Sequence, residues 1–213
     1  MKLKAATLIT LLALFLGTAL IATPAQAGPA QDTLKKDIDE FISILKDPQY
    51  KPENMKDAQR DKIWVIIHRI FDFEGVARRA VGRNWDKFAP KEATDFIDAF
   101  AELLGTNYLI QIQEQYTNET VEYVSEEDPA EGRAIVKTII KRSTKANIPV
   151  DYSMWLRDGK WRIYDVKVEG VSLVQNYRSQ FADILMKNPP SYLIERVKEK
   201  AAEQKKKQED GKK

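Results

Sequence analysis

The chain has 213 residues, with 34 basic and 32 acidic side chains, no cysteine and a single histidine, His68. A body this close to neutral lacks the basic face that displaces counterions from nucleic acid, so no nucleic-acid partner is expected. Without cysteine there is no disulfide, no thiol nucleophile and no acyl anchor, and one imidazole does not make the usual multi-histidine zinc site, so neither metal nor cofactor is expected.

Residues 1–27 read as a secretory signal that is cleaved. Lys2 and Lys4 form its positive end, 5–22 is an almost uncharged apolar run, Pro24 breaks it, and Ala25-Gln26-Ala27 supplies the small residues of a cleavage site. The expected product starts at Gly28 and is soluble outside the cytoplasm, which in a Gram-negative cell is the periplasm. A 43% hydrophobic, 31% charged composition suits one domain with a real core. That domain is expected over 28–198, with 199–213 a charged, disordered tail.

From Gln31 to Lys46, Leu34, Ile38, Phe41, Ile42 and Leu45 share one helical face, and Asp47-Pro48 stops the helix. Asp57 to Phe71 is a second helix, densely apolar. Asp72 can cap a short third helix, Phe73 to Val81, that ends at Gly82. Pro90 opens the longest helix, reaching about Tyr116, with Phe96, Phe100, Leu103, Leu104, Ile112 and Tyr116 on one side. Gly105 interrupts it, which implies a close approach or a bend.

After Tyr116 the period becomes two, and about four strands follow: 120–125, 133–145, 147–157 and one from Trp161 to Val168. Asp158-Gly159 signals a tight primed turn, which pairs Leu156 with Trp161 and Met154 with Ile163. Strict alternation then groups Trp155, Tyr164, Val166 and Val168 on the opposite face. Ser172 can cap the next helix, with Leu173, Val174, Tyr177, Phe181, Ile184 and Leu185 on one stripe. After Pro189-Pro190 a short last helix carries Tyr192, Leu193, Ile194 and Val197. The class is α+β, a twisted antiparallel sheet wrapped by helices.

Chemistry is sparse. His68 sits at helical spacing between Trp64 and Asp72, as a packed histidine would. Asp165 interrupts an apolar strand and is either a structural acceptor or, with a tyrosine, the acid or base of an isomerase-like site. Arg78, Arg79, Arg83 and Arg178 are able to meet an anionic head group or to pair with nearby acids. Aromatic residues spread over the long helix, the sheet and the later helix fit a core and a cavity equally well.

The run from Trp161 to Phe181 (WRIYDV…EGVSLV…NYRSQF) resembles the MlaC, or toluene-tolerance, family. So do Phe71-Asp72-Phe73, Arg78 to Gly82, Trp85, the Phe96–Phe100–Leu103–Leu104–Tyr108 spacing and Tyr116, in the family's order over roughly Lys35 to Val197. The resemblance implies a sheet of the nuclear-transport-factor-2 (NTF2-like) type with an apolar cavity between sheet and helices. It implies a periplasmic phospholipid carrier rather than an enzyme, monomeric, exchanging lipid with an outer-membrane lipoprotein–porin complex and an inner-membrane MCE-protein/ABC transporter complex. The side chains shortlisted for that cavity are Trp85, Phe96, Phe100, Leu103, Leu104, Tyr108, Val150, Tyr152, Met154, Ile163, Val171, Leu173, Val174, Tyr177 and Phe181, with Arg83 and Arg178 for the head group. An isomerase-like enzyme and a non-catalytic protein-binding module are the alternatives the residues leave open.

Overall fold

The computed structural model describes residues 28–210; the expected signal, 1–27, and residues 211–213 lie outside it. Helices α1 (Pro29–Lys46), α2 (Lys56–Ile70), α3 (Phe73–Val81), α4 (Pro90–Leu104) and α5 (Ile110–Gln115) come first. Strands β1 (Thr120–Ala130), β2 (Arg133–Lys141), β3 (Ile148–Arg157), β4 (Lys160–Val168) and β5 (Val171–Ser172) follow, then α6 (Leu173–Leu185) and α7 (Pro190–Asp210). The five strands make one antiparallel meander in chain order. This is the expected α+β class, with one strand more than predicted. The fifth arises because Glu169 and Gly170, at φ 51° and 81°, fold Val171-Ser172 back onto Lys167-Val168.

The Asp158-Gly159 turn has φ 50° and 71°, and it sets Leu156 opposite Trp161 and Met154 opposite Ile163 as the sequence predicts. The register then slips. Asp165 pairs with Ser153 and Val166 with Tyr152, so Tyr164 is an extra residue. A single inserted residue exchanges the faces of everything after it. Val166 and Val168 therefore join Ile163, and Tyr164 alone stays with Trp155, which corrects the grouping expected from alternation.

The sheet consequently has two unlike faces. One presents Ala134, Val136, Thr138, Val150, Met154 and Ile163, all buried, and α1 and α2 lie on it through Leu34, Ile66 and Ile70. The other carries the row Arg133, Trp155 and Arg162, and beyond it the row Lys137, Asp151 and Lys167. Beside the sheet, α3, α4, α6 and α7 form a separate apolar cluster. The α2–α3 junction sews the two together: Phe71 bridges Ile163, and the Asp72 amide donates to the Ile163 carbonyl at 2.9 Å.

Two helix expectations change. The long helix is not uniform, because Gly105–Leu109 forms a π-turn between α4 and α5. A Cβ on Gly105 would sit 2.6 Å from the Trp64 ring, so a close approach explains the glycine. The expected disordered tail is helical as far as Asp210, since α7 continues its stripe from Leu193, Ile194 and Val197 to a buried Ala201. Lys, Glu, Gln and Ala are also strong helix formers.

Where α5 hands over to β1, the Glu119 carboxylate accepts from the Thr117 amide (2.7 Å) and hydroxyl (2.9 Å) and the Asn118 amide (3.1 Å). Burial alone would raise its pKa, but these bonds outweigh it and bring it to about 2. The folded value lies below the unfolded one of about 4.3, so the stabilisation is complete above that pH and is lost as pH falls towards 2. In urea titrations Glu119→Gln should therefore lower the midpoint near neutrality and by steadily less as the solution is acidified. At Gly75 a Cβ would collide with the Trp155 ring, with Cη2 2.8 Å away. Gly75→Ala should cost about 1–3 kcal/mol, read as a loss of several degrees in Tm.

Candidate functional site

The apolar face of the sheet is covered by one helical hairpin, and the site follows from how that cover is held. The contacts Asp37–Arg69 and Ile44–Gln59 place early α1 against late α2, and late α1 against early α2, so the two helices are antiparallel. At one end, the Glu126 carboxylate of β1 accepts from the Gln31 amide at 2.6 Å, an anion at a helix N-terminus. Arg69 binds Asp37 and Glu40 of α1 beside it, and the Phe71 bridge fixes the end of α2. At the other end the fastening is a buried amide network. Gln113 of α5 donates to the Gln59 carbonyl (2.6 Å) and the Lys56 carbonyl (2.9 Å), while Gln59 donates to the Ile44 carbonyl (2.8 Å).

Between these fastenings the cover is incomplete. Ile38, Phe41 and Ile44 of α1, and Tyr123, Tyr152, Trp161 and Val166 of the sheet, pack on the buried residues but stay only partly buried. Tyr152 is partly buried, and burial pushes its hydroxyl up to about 12. The neighbouring Tyr123 hydroxyl is buried with no hydrogen-bond partner, and burial raises it further still. The covered sheet face is thus bordered by partly buried apolar side chains with two tyrosine hydroxyls among them, and we term this face the trough.

The side chains shortlisted from the sequence divide between two places. Val150, Tyr152, Met154 and Ile163 lie on the trough face. Phe96, Phe100, Leu103, Leu104, Val174, Tyr177 and Phe181 lie in the helical cluster, with Trp85 and Leu173 packed against it. Four of those rings fill the space between their helices, with centroids 5.6 Å (Phe96–Phe100), 4.9 Å (Phe100–Tyr177) and 5.4 Å (Tyr177–Phe181) apart. This half of the shortlist is packed ring against ring in the helical cluster. Tyr108 and Val171 are exposed, at 40% and 64%. Arg83 is exposed too, and Arg178 is occupied with the end of α3, its Nε donating to the Arg79 carbonyl at 2.7 Å.

Sequence reasoning missed the α1–α2 side of the trough. Its signal was present in the stripes of those two helices, but nothing in a stripe names the surface it will cover. His68 is exposed rather than packed inside, its ring edge-on to Trp64 at 4.8 Å. It belongs to a cleft of about 880 Å³ between α2 and the π-turn, whose wall is largely charged: Asp57, Arg60, Asp61, Asp98, Glu102 and Lys205. Asp165 is the structural acceptor of the two readings, taking the Ser172 hydroxyl at 2.6 Å and the Val174 amide at 3.1 Å to join β5 to α6. Among the described residues there is no helix long and apolar enough to cross a membrane and no cluster of metal-ligating side chains.

The chain is similar to known proteins. The family model described as MlaC protein matches residues 35–199. The toluene tolerance protein ttg2D of Pseudomonas putida is 25% identical over 188 residues, which is 85% of this chain and 82% of that protein. A phospholipid-binding protein from Ralstonia solanacearum, solved in complex with a phospholipid, superposes with a TM-score of 0.71. It is 24% identical, over 83% of this chain and 99% of that one.

The amide network makes the far end of the cover the easier one to loosen. Gln113→Ala takes the donor from the buried Gln59 side-chain oxygen and the second donor from the Lys56 carbonyl, at a cost of about 1–3 kcal/mol. Hydrogen exchange should accelerate at the amides of early α2 and late α1, with β2 and β3 unchanged.

Proposed function

The chain belongs to the MlaC family, and on that premise we propose that it is a periplasmic carrier of phospholipid. It holds acyl chains in the trough between the apolar sheet face and the α1–α2 hairpin. It exchanges them, as a monomer, between an outer-membrane lipoprotein–porin complex and an inner-membrane MCE-protein/ABC transporter complex, and catalyses no reaction. The observation that carries this reading is an apolar sheet face whose bordering residues stay only partly buried beneath the α1–α2 hairpin. The likeness to a phospholipid-bound structure supports it.

The energetics set what such a carrier must do. Two acyl chains of about 16 carbons, at about 0.8 kcal/mol per methylene, lose on the order of 25 kcal/mol if left in water. Most of their length must therefore be enclosed. The helical cluster is filled by its own rings, so room comes from the half-buried rim and from the hairpin lifting off the sheet. Binding driven by tails is insensitive to head-group identity. The engagement of Asp165 in the β5–α6 joint favours this account over the isomerase-like one.

Purified without detergent, the mature chain should carry stoichiometric phospholipid in native mass spectrometry, identified after extraction. A folded protein that arrives empty and takes up no phospholipid from vesicles would overturn the proposal. Val166→Trp, which fills the trough from its partly buried side, should lower occupancy several-fold without loss of fold. Unchanged occupancy would move the chains away from this face.

A further inference from the structure

The opposite face of the sheet gathers positive charge around an aromatic pair. Trp155 of β3 and Tyr164 of β4 share this face, with ring centroids 4.8 Å apart. Three guanidinium groups surround them. That of Arg79, from α3, is 4.2 Å from both centroids. Arg133 of β2 is 5.0 Å from the Trp155 ring and 5.3 Å from that of Tyr164. Arg157 is 3.6 Å from Trp155. Arg162 occupies the cross-strand position beside Trp155.

The charges in this cluster do not balance. Asp72 is the acid that pairs here, with Arg157 at 3.1 Å, while one of its oxygens caps α3 through the Gly75 amide. Among the described residues Arg79 and Arg133 make no ion pair with an acid. Burial lowers the pKa of Arg79, and repulsion from Arg133 and Arg157 lowers it further, against partial compensation from Tyr164 and Asp72. An independent feature points the same way. Trp155 is 5% exposed, and its indole nitrogen, which can only donate, is buried without a partner.

From this convergence of three guanidinium groups and an unpartnered indole N–H we propose that the Arg79–Arg133–Arg157 cluster is a binding site for a phosphate group. Guanidinium forks and an indole N–H offer only donors, and more of them than the two oxygens of a carboxylate can accept. A tetrahedral phosphate, as a free anion or as a phosphodiester head group, has the oxygens and the charge the cluster lacks. The site lies across the sheet from the trough and does not depend on lipid being held there.

The test uses the delipidated mature chain labelled with nitrogen-15, following the Trp155 indole resonance during titration. One arm adds inorganic phosphate and the other glycerophosphoethanolamine, each against chloride at matched ionic strength. A saturable shift in the phosphate arm alone supports a free-phosphate site, and one in the diester arm supports a head-group site. Arg133→Gln should weaken either about tenfold. Asp72→Asn, which keeps a capping side chain while removing the one compensating acid, should strengthen it several-fold. No saturable shift in either arm, or affinities unchanged in folded Arg133→Gln and Asp72→Asn, would overturn the site. A chain that carries no phospholipid yet shows the shift would defeat the carrier reading and leave this one standing.

Discussion

The pairing of β3 with β4 decides what each face of the sheet can be. Two positive-φ residues at the hairpin tip align Met154 with Ile163, and one extra residue at Tyr164 then reverses the alternation. Without that slip, Val166 would leave the apolar face and Asp165 would enter it. With it, one face is continuous apolar surface and the other concentrates an aromatic pair among arginines. A bulge costs a ladder hydrogen bond or two, whereas turning a valine out of the apolar face and an aspartate into it would cost more in burial and desolvation.

The protein has two apolar regions with different mechanical character. The helical cluster is packed ring on ring, with Phe96 and Leu103 fully buried. The sheet and hairpin enclose a second region whose members are about half only partly buried. Phe71 packs against both regions, and its backbone bridge to Ile163 ties them at one point. A solid block joined to a looser cover is a sensible division for a carrier, because motion can be confined to the part that meets the cargo.

Much of this was legible beforehand. Element order, the primed hairpin, the Asp72 and Ser172 caps and the stripe of α6 all follow from local rules about period, capping and turn chemistry. The family could be read from the long ordered run after Trp161. What escaped was non-local. The bulge at Tyr164 depends on what β3 offers opposite it, and no property of Tyr164 itself announces it. Division of the shortlist into core and trough likewise needed the positions of α1 and α2, since Phe100 and Tyr152 are equally apolar on paper. The tail from Glu199 has a composition that suits a disordered segment and a surface helix alike, and the buried place of Ala201 is a tertiary fact that composition does not contain.

The five-residue turn at Gly105 has a further effect on the rod it interrupts. Buried positions along α4 run 96, 99, 100, 101, 103 and 104, then resume at 109, 110 and 113. The pattern loses phase by about one residue, close to 100° around the axis. Upstream of the turn the rod serves the helical cluster, and downstream it presents Gln113 to α2. Removing one residue there would restore the phase and swing the Gln113 amide away from Gln59, so a single codon's worth of backbone connects the protein's firm half to the latch of its movable one.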